Sequence, residues 1–241
     1  MRIAILSDIH GNLTAFEAVL ADLQQASPDL VLHGGDLADS GSSPTEIIDR
    51  IRSLGWQGVM GNTDEMLFQP DSLEEFANQS SAPPAIWEAI RQIASATRAI
   101  LEEERLAWLS KLPRIHSQEI FALVHATPQG CWRAPSPEAA DAELETTYAQ
   151  LDRPIVVYGH THLPFIRSMP GSIKLLVNTG SVGLPYDGDP RASYLLLEGT
   201  TPSIRRVKYD VEKELKALSS CGLPGAAWTA KMLRTSSPQM P

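Results

Sequence analysis

Seven residues of this 241-residue chain have the types and placement to do chemistry together: Asp8, His10, Asp36, Asn62, His125, His160 and His162. Each follows a short apolar run that reads as a buried strand. Asp8 and His10 follow Ile3–Leu6, Asp36 follows Leu30–Leu32, and Asn62 follows Trp56–Met60. His125 ends Ile120–Val124, and Gly159-His160-Thr161-His162 ends Ile155–Tyr158. Open α/β sheets bind ligands at the carboxyl ends of their strands, and four of the six histidines fall there. Singly, each has a plain structural explanation as a turn residue or a hydrogen-bonded histidine. As a set they do not. His33 and His116 stand outside the pattern and read as structural.

The chemistry on offer is metal chemistry. Asp8, Asp36 and Asn62 supply oxygens, and the four histidines supply imidazole nitrogens. Seven groups exceed the four of a structural zinc site, so two ions are the natural expectation. Mixed carboxylate and imidazole donors suit manganese first, with iron, zinc, nickel or cobalt also fitting, better than calcium or magnesium. One carboxylate, for which Asp36 is the candidate, would bridge ions roughly 3.5–4 Å apart. Such a pair polarises a phosphoryl oxygen and lowers the pKa of a bridging water. The expected reaction is hydrolysis of a phosphoester.

The elements that must position these groups are legible as patterns. Leu13, Phe16, Val19, Leu20 and Leu23 recur at helical spacing behind Asn12, a good N-cap. Ser43-Pro44 opens a second helix with Ile47, Ile48 and Ile51 on one face. Strand–helix–strand–helix–strand implies parallel strands with right-handed crossovers. Residues 65 to about 113 interrupt that alternation as a helical insertion, or cap. Asp71–Pro84 reads as a polar surface loop. Ile86, Ile90, Ile93, Thr97 and Ile100 predict one long amphipathic helix, and Leu106, Leu109 and Leu112 a shorter one. Within it, Trp87 and Trp108 read as core, and Glu102-Glu103-Glu104 as a solvated face. From residue 164 onward, short strands at Phe165–Ile166, Ile173–Val177, Ser193–Leu197 and Ile204–Tyr209 predict an antiparallel meander, so the sheet system is mixed. Val211–Leu218 predicts a last helix, and residues 235–241 a frayed tail. The whole of 1–241 reads as a single domain.

Composition narrows the function classes. With 43% hydrophobic and 20% charged residues the chain can bury a full core. A net charge of −9 argues against general nucleic-acid binding, which needs a basic surface. Cys131 and Cys221 form no C-x-x-C pair, and no apolar run reaches the length of a membrane span. A soluble cytoplasmic protein acting on a small phosphoester is the expectation. The oligomeric state leaves no trace.

Asp8-x-His10, Gly35-Asp36, Gly61-Asn62, His125 and Gly159-His160-x-His162 together resemble the calcineurin-like metallophosphoesterase superfamily. Asn178-Thr179-Gly180-Ser181-Val182-Gly183 resembles its small bacterial and archaeal phosphodiesterase branch. The resemblance covers about residues 1–210. It implies an α/β fold, a four-layer α-β-β-α sandwich of two mixed sheets. It also implies one ion on Asp8, His10, Asp36 and His162, and a second on Asp36, Asn62, His125 and His160. Two departures matter. Many members carry His after the Asn, where it serves the leaving oxygen; Thr63 stands here, and a hydroxyl is no acid near pH 7. Asp64, the usual partner of that His, is then left to brace the turn. Protein phosphatases and symmetrical dinucleoside tetraphosphatases of the superfamily carry Arg where this chain has Ser40, losing a bidentate phosphate clamp. Arg98 on the insertion or Arg133 after His125 are candidates to replace that charge.

Three functions follow for test. The first is a metal-dependent phosphodiesterase acting on a small, nucleotide-like substrate. The second is a phosphomonoesterase or dinucleoside polyphosphatase. The third is a non-catalytic metal-binding scaffold, as in the retromer subunit that shares the fold. A scaffold predicts eroded metal positions, and all seven here hold competent residues.

Overall fold

A computed structural model describes residues 1–241. Two five-stranded sheets form its centre. The first opens with β1 (Arg2–Leu6), α1 (Leu13–Ala26), β2 (Leu30–His33), α2 (Pro44–Leu54) and β3 (Gln57–Gly58). β1, β2 and β3 are parallel. The insertion supplies α3 (Asn62–Phe68), α4 (Asp71–Gln79) and α5 (Pro84–Leu109). The second sheet contains β4 (Ile115–Ser117), β5 (Phe121–Val124), β6 (Ile155–Tyr158), β7 (Phe165–Ser168) and β8 (Leu175–Asn178), with α6 (Asp141–Tyr148) between β5 and β6. The chain then returns to the first sheet as β9 (Ala192–Glu198) and β10 (Thr201–Val207), and ends in α7 (Val211–Ser220) and α8 (Ala226–Thr235).

Alternation along the strands builds the layers. Ile3, Ile5, Leu195 and Leu197 of the first sheet meet Phe121, Leu123, Ile155 and Val157 of the second in a core between the sheets. The intervening residues face outward. Ala4 and Leu6 pack on Phe16, Val19 and Ile47 of the first helices. Ala122, Val124 and Val156 pack on Leu144 and Tyr148 of α6. Period-two burial on both faces of two sheets yields the expected four-layer α-β-β-α sandwich. Asn12 caps α1, accepting the Ala15 N–H at 2.9 Å.

Several expectations are corrected. Asp71–Pro84 is not all loop, since α4 occupies Asp71–Gln79. Only Leu73 among its apolar side chains is fully buried, so little periodicity was visible, while Asp71 and Glu74 favour its N-terminus. The late strands do not form one meander. β7 and β8 pair antiparallel, but β8 runs parallel to β6. β9 lies antiparallel to β1 in the other sheet. The third strand, expected over Trp56–Met60, is reduced to Gln57–Gly58. Edge strand β4 and helices α6 and α8 were not foreseen.

α5 combines both helices expected in the insertion. Glu102 separates them, with φ 58° and ψ 169°, a region nearly reserved for glycine. The short arm beyond it is tied to α2, where Arg105 grips Asp49 through two bonds of 2.9 and 2.7 Å. The tail expected to fray is held at two points. Gly188 donates its N–H to the carbonyl of buried Ser236, and Trp228 Nε1 donates to the Gln239 carbonyl at 2.8 Å. No helix is long and apolar enough to cross a membrane.

Candidate metal centre

The parallel strands of both sheets deliver their carboxyl ends to one place. Asp8 and His10 follow β1, Asp36 follows β2, and Asn62 begins α3 just after β3. His125 follows β5, and His160 and His162 follow β6. One group of donor atoms comprises Asp8, His10, Asp36 and His162, all buried and mutually within 4.8 Å. A second adjoins it. His125 Nε2 lies 3.5 Å from Asp36 Oδ2 and 3.1 Å from Asn62 Oδ1. His160 Nδ1 lies 3.0 Å from the same Asn62 oxygen. Asp36 Oδ2 is also 3.7 Å from His10 Nε2, so this one carboxylate touches both groups.

The tautomers follow from the outer hydrogen bonds. Nδ1 of His10 reaches the Asp39 carbonyl at 3.1 Å, that of His125 the Gly34 carbonyl at 2.7 Å, and that of His162 the Leu184 carbonyl at 2.5 Å. A carbonyl only accepts, so each Nδ1 carries a proton and each Nε2 faces inward, its lone pair available when the ring is neutral. His10 Nε2 and His162 Nε2 face each other at 3.2 Å. Between neutral rings, lone pairs held this close repel unless a cation lies among them, and the donor set fits a divalent metal ion.

The electrostatics agree. Burial lowers His10 and pushes His160 down to about 4, which keeps their nitrogens free to donate electron pairs. Burial would raise Asp8, but His162, His125 and His10 hold its carboxyl well below the usual range. At His125 burial favours the neutral ring, yet the charges of Asp36 and Asp8 raise it. The field at that nitrogen calls for positive charge.

Holding these groups together strains the backbone. Ten non-glycine residues have positive φ, and five of them are Asp8, His10, Asp36, His160 and His162. Concentrating that strain on the metal-binding loops marks them as a functional site. Two glycines make the approach possible. A Cβ on Gly61 would fall 2.1 Å from Asp36 Oδ1, and one on Gly159 2.5 Å from Asp8 Oδ2. Asp64 braces the assembly from behind. Its carboxylate accepts the N–H groups of Asp36, Leu37 and Gly61 at 2.8–2.9 Å. Burial and the charge of Asp36 push it up to about 6 against those bonds. Asp36 in turn accepts the Thr63 N–H at 2.9 Å.

A cavity of about 290 Å³ opens over the donors. Asn62, Thr63 and Ser40 line it, whereas Asp64 does not. Arg98, a candidate phosphate ligand from sequence, donates to the Leu67 carbonyl at 2.6 Å and lines other cavities. Arg133 also misses this cavity, and lies 4.7 Å above the Phe76 ring in an adjoining one. Trp87, expected in the core, packs against it and also lines the metal cavity. Trp108 packs against the core, and Glu104 pairs with Arg52 on the surface. His33 is fully buried and His116 partly so. Sequence reasoning missed the aromatic walls, Phe76, Trp132, Tyr186 and Trp228, because they come from two short helices and two loops far apart in the chain.

Residues 1–201 match the calcineurin-like phosphoesterase superfamily domain. The chain belongs to that superfamily. An uncharacterized protein of Methanocaldococcus jannaschii is 31% identical, over 92% of this chain and 93% of its own. Phosphodiesterase YfcE of Escherichia coli is 27% identical, over 85% of this chain and 91% of its own. A metallophosphoesterase from Sphaerobacter thermophilus superposes with a TM-score of 0.79 at 27% identity, covering 98% of this chain and 100% of its own. Superfamily membership and the donor cluster make this a metal-dependent phosphoester hydrolase.

Proposed function

We propose that the protein hydrolyses phosphodiester bonds in a small, nucleotide-like substrate. The observation that carries this is the lining of the metal cavity, where no lysine or arginine appears among seventeen residues. A phosphomonoester has a second pKa near 6 and is mostly a dianion at neutral pH, and polyphosphates carry more charge. Enzymes for such groups add arginine clamps. A diester is a monoanion and needs none. Ser40 and Thr63 line the cavity where a clamp or an acid would stand. The relationship to a phosphodiesterase of Escherichia coli supports the same choice.

Asp8, His10, Asp36 and His162 would hold one divalent ion, and Asp36, Asn62, His125 and His160 another. When bound, such a pair supplies Lewis acidity and hydroxide near neutral pH. The mixed oxygen and nitrogen donors favour manganese. The chain's own groups orient the reaction. Carbonyls of Asp39, Gly34 and Leu184 fix the imidazoles, Asp64 fixes the Asp36 loop, and Thr63 offers a hydroxyl to phosphate oxygen. Thr63 supplies no imidazole acid, so the leaving oxygen departs without help from position 63. Both cysteines are free thiols, in keeping with a cytoplasmic location.

With manganese supplied, bis-p-nitrophenyl phosphate is expected to turn over well above the rate of p-nitrophenyl phosphate. A ratio well below one overturns the diester assignment. The second reading, a monoesterase or dinucleoside polyphosphatase, would then have to recruit Arg133 from the neighbouring cavity.

A further inference from the structure

We propose that the metal cavity is also a subsite for an aromatic ring of the substrate, with α8 as its roof and Trp228 as the residue that selects for the ring. This rests on the diester reading above and adds the class of ester group. The cavity has a polar floor of donor atoms, but Phe76, Trp87, Trp132, Tyr186 and Trp228 stand around it. Three of the chain's five tryptophans are gathered there. The aromatic surface begins at the metal donors, since the Tyr186 ring stacks on His162 at 4.3 Å and 18°. Phe76 packs on Trp132 at 5.0 Å and edge-on to Trp87 at 5.6 Å, which fixes the opposite wall.

α8 lies beyond residue 201, where the superfamily match ends, yet it contributes Trp228 and Met232. Its attachments are specific. Thr229 Oγ1 donates to the Ser40 carbonyl at 2.8 Å, anchoring α8 to the loop that carries Asp36. Tyr186 Oη contacts Met232 Sδ at 3.4 Å. Gly225, at the start of α8, lies so close to the insertion that a Cβ there would meet Ile93 Cδ1 at 2.3 Å. The helix therefore bridges the metal loops and the insertion, and the space below admits a small ester with a flat group. Trp228 Nε1 is committed to the Gln239 carbonyl, which leaves its ring for stacking and not for hydrogen bonding to a ligand. Stacking on aromatic side chains tolerates aryl rings and nucleobases alike.

Four non-hydrolysable probes separate this claim from the one beneath it. Diphenylphosphinate and dimethylphosphinate are monoanions shaped like diesters, whereas phenylphosphonate and methylphosphonate resemble monoesters. Their affinities for the manganese-loaded protein are measured by calorimetry. Each phenyl probe is expected to bind about tenfold or more tightly than its methyl partner, the equivalent of one stacking contact. Trp228→Ala should cut that ratio to below about threefold through weaker binding of the phenyl probe, and Trp228→Phe should restore most of it. Phe76→Ala on the opposite wall should lower the ratio too, which keeps the test open if Trp228→Ala does not fold. A phenyl-to-methyl ratio near one in the wild type, or one that Trp228→Ala and Phe76→Ala leave unchanged, overturns the subsite. Tighter binding of phosphonates than phosphinates overturns the diester reading alone. A lower KM for thymidine p-nitrophenyl phosphate than for bis-p-nitrophenyl phosphate would identify the ring as a nucleobase, and the reverse as a plain aryl group.

Discussion

Asp36→Ala should lose both bound ions and lower hydrolysis of bis-p-nitrophenyl phosphate on the order of 10³-fold or more, several kcal/mol of transition-state stabilisation. The reason is positional. Its Oδ2 is 3.7 Å from His10 Nε2 in one donor group and 3.5 Å from His125 Nε2 in the other. Removing it takes negative charge from both groups at once, and leaves inward-facing imidazoles with less to hold a cation. No other residue of the seven has that reach, so His160→Ala should weaken one ion more than the other. Elemental analysis of the purified variant, with circular dichroism as a check on folding, reads the loss directly. Two ions retained, or a rate within tenfold of wild type, would remove Asp36 from its assigned place.

Acid should destabilise the metal-free protein steeply, and His33 should account for a large share of the effect. His33 is fully buried at the end of β2, with no partner for either ring nitrogen. Burial pushes it down to about 3 from an ordinary 6.5, and the charge of nearby His116 acts in the same direction. The Val59 backbone acts the other way but more weakly than burial, and the Trp108 ring packed at 6.2 Å offers no acceptor. Below pH 6.5 the unfolded chain therefore binds a proton at this site that the folded chain refuses until about pH 3. Stability is lost as pH falls through that window. Between pH 7 and 4.5 the share is about 2–3 kcal/mol, or roughly 5–10 °C in melting temperature for a chain of this size. His33→Leu should flatten the acid limb of the melting curve by that amount. Parallel curves for the two proteins would mean that the folded state protonates His33 without penalty.

The parts of the molecule that could be read from the sequence share a cause. β1, β2, β5 and β6 are buried on both faces, so they appear as unbroken apolar runs, and the residue after each stands out by contrast. That contrast exposed six of the seven donors, and Gly61 marked Asn62. Features resting on few buried residues were hidden. α4 and α6 each bury one or two large apolar side chains, too few to show a period. β8 and β9 look like neighbours in a meander, but their partners β6 and β1 are distant in sequence, and pairing is not written in local pattern. The cavity lining was hidden for the same reason. Arg98 and Arg133 stand out by charge and nearness along the chain, while the cavity takes its aromatic walls from α4, α5, α8 and two loops.

Titration of metal-free protein with manganese, following bound ions and bis-p-nitrophenyl phosphate hydrolysis in the same samples, tests the centre most directly. Metal capture by these buried donors predicts activity that rises with loading and levels off at two ions per chain. Full activity at one ion per chain, or activity that persists with none, would contradict it.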